Sequence, residues 1–366
     1  MKKRFGVAAL TLAAGCAVIF AGCTGCNGCG NNGKANEAAF SSNWYADTNF
    51  KYIQPTFTEG NDNFAKEEIV YTVKHDKEPA GNTTYSVDYS DGTYTTTFYG
   101  ATFQKDLIDG DYKDGYPDES ITVYCYKTEL DVPEVTFTVG DKTSEAFHNN
   151  IKTVSYFTNV NEHLRPLYSE QTVNAVSPAE YQVSSLDEAY VKVNQTVKTS
   201  FNYEGTAAKT VITGDGAKEF VTNGLGDIDN SLIDVNGLNI AVRAMQLSDS
   251  FSQVVSVYSP AGKLQNYTFS GSSAGLSETE RTACEDVLKG KDLLVEGKSL
   301  HTVCVTATLN SDMKGVSQKY WFAAIDNARN NTGRTTMVKM SVPIPFSLGT
   351  LNYSLKEITS TLYNGQ

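Results

Sequence analysis

Between Val191 and Tyr203 the chain alternates. Val191, Val193, Val197, Phe201 and Tyr203 share one side with Gln195 and Thr199, while Lys192, Asn194, Thr196, Lys198, Ser200 and Asn202 share the other. Successive side chains of a strand point to opposite faces, so the pattern predicts a strand with one dry side and one wet side. At ~3.3 Å per residue it would span roughly 43 Å. That is far longer than the usual ~5–6 residues, and it predicts a large, strongly curved sheet rather than a compact sandwich.

Val, Ile, Thr, Tyr and Phe are similarly enriched over Glu67–His75, Thr83–Asp88, Tyr94–Thr102, Ser120–Thr128, Glu134–Val139, Thr153–Asn159, Leu167–Thr172 and Thr210–Thr213. The same holds for Phe251–Tyr258, Lys263–Phe269, His301–Leu309, Ser317–Ala323, Thr335–Val342 and Thr350–Ile358. Turn pairs such as Asp91-Gly92, Asp114-Gly115 and Ala261-Gly262 punctuate them. Helical spacing is rare. Ser277 with Glu280 forms a capping box and Gly290 suits a helix end, so Glu278–Lys289 is predicted helical. Ser231–Met245 is a second candidate, with Leu238, Val242 and Met245 on one stripe and Gly237 weakening it. The expected fold is all-β with few short helices: a large curved antiparallel sheet or half-barrel.

The N-terminus reads differently. Lys2, Lys3 and Arg4 precede an uncharged apolar stretch from Phe5 to Phe20, and Ala21-Gly22-Cys23 follows. A charged start, a short apolar run and small residues at the cut describe a secretory signal peptide. Cys23 after two small residues resembles a bacterial lipobox, in which the thiol receives a diacylglycerol and the Cys becomes the new N-terminus. A membrane-spanning helix fits less well, because the run is short for the ~17–25 residues a span needs. The expected organisation is a lipoprotein signal peptide at 1–22, a Gly/Asn-rich tether at 23–43 and one β-rich domain at 44–366. The implied location is extracytoplasmic, anchored to a bacterial membrane through the acyl chains, palmitate among them, on Cys23.

Composition narrows the partners. The 366 residues carry a net charge of −12, and losing the three leader cations takes it to −15. Such a chain is repelled by phosphate, which argues against nucleic acid, and by anionic bilayers, so membrane contact falls to the lipid. A mean hydropathy of −0.32 excludes a polytopic membrane protein. Cys26 and Cys29 form a C-x-x-C inside the tether, without the strand–helix junction that a redox site needs. Cys125, Cys284 and Cys304 are odd in number, so separate buried thiols are expected, with a Cys284–Cys304 bridge the alternative.

Motifs for chemistry are absent. His75, His148, His163 and His301 show no metal-ligand spacing, and His75 and His163 are expected to be solvated at strand ends. There is no nucleophile elbow and no phosphate-binding loop. Asp227 and Asp229 begin like a calcium loop, but Leu232 stands where the turn needs Gly. The reading is non-catalytic, with no cofactor and no metal.

Several patches carry a family likeness: Glu68-Ile69-Val70-Tyr71 with Pro79-Ala80-Gly81; Tyr156-Phe157 with Leu164-Arg165-Pro166-Leu167-Tyr168; and Leu232 through Arg243-Ala244-Met245. Trp321-Phe322, Met337-Val338-Lys339, Ile344 to Leu348-Gly349 and Leu351–Leu355 complete the set. Over about 64–360 the chain resembles the bacterial family called domain of unknown function 3108. That resemblance implies a half-barrel related to carriers of lipoproteins or lipids, and it assigns no catalytic residue. The leading functional expectation is therefore binding of an apolar or amphipathic ligand such as lipid, in a pocket lined by Leu238, Val242, Met245 and Trp321. The alternative is a surface-displayed module that binds protein or glycan, or a structural envelope protein. A deep apolar cavity would favour the first and a filled core the second.

Overall fold

The structure is a computed structural model. It describes residues 10–13 and 16–19, then 66–77, 84–117, 120–160, 163–225, 232–245, 247–291, 293–294, 296–309, 317–323 and 336–361. Cys23, Cys26, Cys29, the tether, Asp227 and Asp229 lie outside the described residues. Leu10–Ala13 and Cys16–Ile19 pair as a two-stranded hairpin apart from the main sheet.

The main sheet starts with β1 (Lys66–Asp76), β2 (Ser86–Tyr89), β3 (Gly92–Phe103), β4 (Ile121–Val139), β5 (Lys142–Thr143), β6 (Phe147–Val160), β7 (His163–Pro178) and β8 (Tyr190–Phe201). It continues with β9 (Ala207–Gly214), β10 (Lys218–Asn223), β11 (Ile233–Asp234), β12 (Ser252–Ser259), β13 (Lys263–Ser272), β14 (Thr302–Leu309), β15 (Ser317–Ala323), β16 (Met337–Pro343) and β17 (Thr350–Thr361). In space the order is β10-β9-β8-β7-β6-β4-β3-β1-β17-β16-β15-β14-β13-β12-β11. The far half of β4 pairs with β2 and β5 instead. Every pairing is antiparallel except β11 with β12, where Ile233 lies beside Val257 in a parallel register. The sheet is thus mixed by one short pair.

The predicted Ser120–Thr128 and Glu134–Val139 are one strand, β4. Its ladder with β6 shifts between Val132 and Val135, across Pro133. Proline donates no ladder hydrogen bond, so a bulge accommodates it and sharpens the local bend. Gly92 opens β3 where a Cβ would meet the Asp131 carbonyl at 2.5 Å, so glycine permits the close approach of β3 and β4.

The sheet curls until its ends face each other. Among the described residues no backbone ladder joins β10 to β11 or β12, so the barrel is not closed. Side chains bridge the seam instead. Thr222 Oγ1 donates to the Gly262 carbonyl at 2.8 Å, and Phe220 packs where a Cβ on Gly262 would stand. Gly262 itself has φ of 70°, which suits glycine in the turn between β12 and β13.

Three helices decorate the sheet: α1 (Leu186–Ala189), α2 (Leu238–Ala244) and α3 (Glu278–Gly290). The predicted Ser231–Met245 helix is shorter than its stripe suggested. Ile233 and Asp234 are strand, Val235–Gly237 is a 3₁₀ turn, and only then does α2 begin. Helix α3 carries the predicted capping box, with Ser277 accepting from the Glu280 amide. It lies on the outer face of the late strands. There Lys339 Nζ reaches Glu280 at 2.6 Å and stands 4.7 Å from the Trp321 ring. Both faces of β15 are therefore covered, which explains the unbroken buried run Tyr320-Trp321-Phe322-Ala323.

On β8 the predicted dry face holds from Val193 to Phe201, where Val193, Gln195, Val197, Thr199 and Phe201 are buried, but Val191 is half-buried and Ser200, on the predicted wet side, is buried as well. Tyr203 departs from it. It lies beyond the strand end and meets Tyr116 edge-on at 5.2 Å, in a second cluster on the outside of the sheet. His75 also departs from expectation. Its side chain is 2% exposed, and Nε2 lies 3.0 Å from the Leu348 carbonyl. Burial holds its pKa below the ordinary value. Cys125, Cys284 and Cys304 are separate, buried thiols.

Candidate functional site

The interior was the expected place for a ligand, and the chain itself fills it. Every residue from Leu232 to Arg243 is buried, as is Met245. The segment reaches across the inner faces of five strands. Asn236 Nδ2 donates to Ser169 Oγ on β7 at 3.2 Å, and Gln171 Nε2 to Asn236 Oδ1 at 3.4 Å. Gly237 faces Ser155 on β6. Asn239 Nδ2 donates to the Tyr94 hydroxyl on β3 at 3.3 Å. Arg243 makes a two-pronged ion pair with Glu67 on β1, in which Nη2 lies 2.9 Å from Oε2. Burial works against the Arg243 charge, but Glu67 outweighs it and lifts the pKa further. Tyr126 on β4 adds to that lift.

Leu238, Val242 and Met245 are therefore packed core, with exposures of 1%, 0% and 0%. The void beside this segment is about 20 Å³, bounded by Ser155, Phe157, Pro166, Asp234, Ile240 and their neighbours. That is room for about one water. Trp321 does not join the other three. It faces outward beneath α3, where its Nε1 donates to the Ala274 carbonyl at 2.9 Å. The four proposed pocket residues thus fall on opposite sides of the sheet, because Trp321 alternates with the inward Tyr320 and Phe322.

The roomy concavity lies outside. A groove of about 400 Å³ runs over the outer faces of β3, β4, β6 and β7. Two cross-strand rows form its floor. Thr97, Lys127, Val154 and Glu170 stand side by side in register, and so do Thr95, Glu129, Lys152 and Thr172. Three of their four charges have partners: Lys152 meets Glu129 at 3.0 Å, and Glu170 accepts from the Tyr168 hydroxyl at 2.7 Å and pairs with Lys198, outside the rows, at 3.5 Å. Lys127 lies 5.4 Å from the Tyr99 ring. Tyr156 adds an aromatic surface. Burial, with Cys125 beside it, pushes the Tyr156 hydroxyl up to about 12, so it stays a neutral donor. The side chains at 105–116 wall the sheet beyond, where Phe103, Ile108, Tyr116, Val123 and Leu167 pack outside the barrel.

Sequence reasoning missed this groove. Alternating Thr, Lys and Glu read as an ordinary solvated face, and only the register of four non-consecutive strands assembles them. Among the described residues no cluster of His, Cys, Asp and Glu is arranged to hold a metal ion, and no helix is long and apolar enough to cross a membrane.

The chain matches no family model and no curated protein. Among solved structures it is similar to a β-barrel-like protein of domain of unknown function DUF1849 from Brucella abortus. The similarity covers 81% of this chain and 98% of the other, at 8% identity and a TM-score of 0.42.

Proposed function

We propose that this protein is a lipid-anchored, extracytoplasmic binding module that works through its outer wall and has no catalytic role. Cys23 supplies the anchor, and the tether holds the barrel clear of the membrane. The observation that carries the reading is the contrast in room. Among the described residues, the void beside the interior segment holds about 20 Å³ and the outer groove about 400 Å³. An apolar ligand inside would have to displace the segment from Leu232 to Met245.

The groove's chemistry points to a polar, hydroxyl-rich ligand, a glycan. Its two lysines and two glutamates balance, so it offers no net charge to an ionic ligand. Threonine hydroxyls both donate and accept, as sugar hydroxyls do. The Tyr156 ring gives the apolar face of a sugar a surface to lie on. Calorimetric titration with neutral oligosaccharides (cello-, xylo- and manno-hexaose) tests this. The wild type should bind at least one of them, and Tyr156→Ala should weaken it by about tenfold, the loss of roughly 1.4 kcal/mol. Val221→Ala, at an exposed site on β10, should change nothing. Binding that is indifferent to Tyr156, or no binding to any neutral glycan, would overturn the proposal.

A further inference from the structure

Near the start of the interior segment stands the Asp234 carboxyl group, which has no ion-pair partner among the described residues. Asp234 is 4% exposed and borders the one-water void. The Ser169 hydroxyl, Asn236 and the Val235 amide lie beside its carboxyl and favour the charged form. Its Oδ2 has no hydrogen-bond partner among the described residues. A second acceptor in the same cluster, Gln171 Oε1, also lacks a donor. The nearby guanidinium of Arg243 is committed to Glu67 at the other end of α2. Tyr258, on the strand beside β11, interacts electrostatically with Asp234, and its own hydroxyl bonds Thr210 at 3.1 Å. Burial holds that hydroxyl above its ordinary pKa, so it brings no charge to Asp234. Two buried acceptors without donors are costly, at about 1–3 kcal/mol each, and a buried unpaired charge costs more.

We propose that Asp234 is a proton-binding site, and that the proton it takes up latches the interior segment, residues 232–245, into the barrel. The neutral carboxyl sheds a buried charge that no cation among the described residues pairs with. Ionisation leaves the segment seated in most molecules but lets it open more often.

The direction follows from burial. Desolvation raises the Asp234 pKa from 3.8 to about 6, against the hydrogen bonds that lower it. A carboxyl with a raised pKa in the seated state holds more protons there than in the open state. The seated state is therefore most favoured below the open-state value and loses ground as pH rises towards about 6. Between pH 5 and pH 7.5 the opening equilibrium should increase by about tenfold.

Hydrogen exchange of the amides in 232–245, divided by their intrinsic pH dependence, measures that equilibrium. In the wild type the normalised exchange should rise about tenfold from pH 5 to pH 7.5. In Asp234→Asn, which cannot ionise, it should be flat and slower than in the wild type at both pH values. A flat wild type, or an equal rise in the variant, would overturn the latch. Should the variant fail to fold, carbon NMR of the wild-type carboxyl decides. Titration well above the ordinary carboxylate range supports the proposal, and titration near 4, the value of an unperturbed Asp, ends it.

Discussion

Residue by residue, the two sides of β8 make opposite predictions. Val193 is buried at 7% exposure, whereas Lys192 points out, pairs with Glu145 at 2.9 Å and lies over the Phe147 ring. Val193→Asp places an unpaired charge inside and should cost several kcal/mol, comparable with a domain's whole stability of ~5–15 kcal/mol. Lys192→Ala loses only a surface ion pair and a ring contact, at about 1 kcal/mol or less. Thermal melts of the two variants check this, and equal melting temperatures would mean the register is wrong. His75 carries a pH prediction. Its folded pKa is lowered by burial, so the unfolded state binds more protons as pH drops below about 6.5. Stability contributed by neutral His75 is present above that pH and is lost below it. In His75→Gln the acid limb of the stability profile, measured by urea unfolding from pH 7 to pH 5, should be shallower than in the wild type. The alternation at 191–201 was legible because period two is local. The burial of His75 was not, because its cover comes from Leu348, far away in sequence.

At the scale of elements, the chain announces most of its strands, though not β5, β10 and β11, and the helix α3; it gives no sign of α1 and hides the reason for α2. The capping box at Ser277 and Glu280 depends on four adjacent residues, and it appears as predicted. The stripe of Leu238, Val242 and Met245 was visible as well. Nothing local says that it faces five strands from inside a barrel, or that Trp321 faces away from it. Polar neighbours held the clue: Asn236, Asn239 and Arg243 alternate with the apolar stripe, and each bonds the inner wall. Met245→Ala should therefore cost ~2–5 kcal/mol, the range for emptying a packed core site. Chemical denaturation measures it, and a loss below about 0.5 kcal/mol would show slack in the interior.

At the scale of the molecule, the barrel-like sheet was legible from strand length and number, and its unclosed seam was not. Thr222, Phe220 and Gly262 join the two ends through side chains, with no strand pattern to advertise it. The anchor is argued from sequence. Each buried CH₂ of an acyl chain contributes about 0.8 kcal/mol, so one chain binds reversibly and two or more hold the protein on the membrane. Cys23→Ser should move the protein from the membrane fraction to the soluble fraction. Retention on the membrane would identify the leader as a true transmembrane segment.

The central claim is that the barrel's interior belongs to its own chain and its ligand site to the outer wall. Titration of a fluorescent fatty acid into the purified protein at pH 7 tests this most directly. The wild type should show no saturable uptake. Saturable one-to-one binding that Met245→Ala abolishes would contradict it, and would return the interior to the role of a lipid pocket.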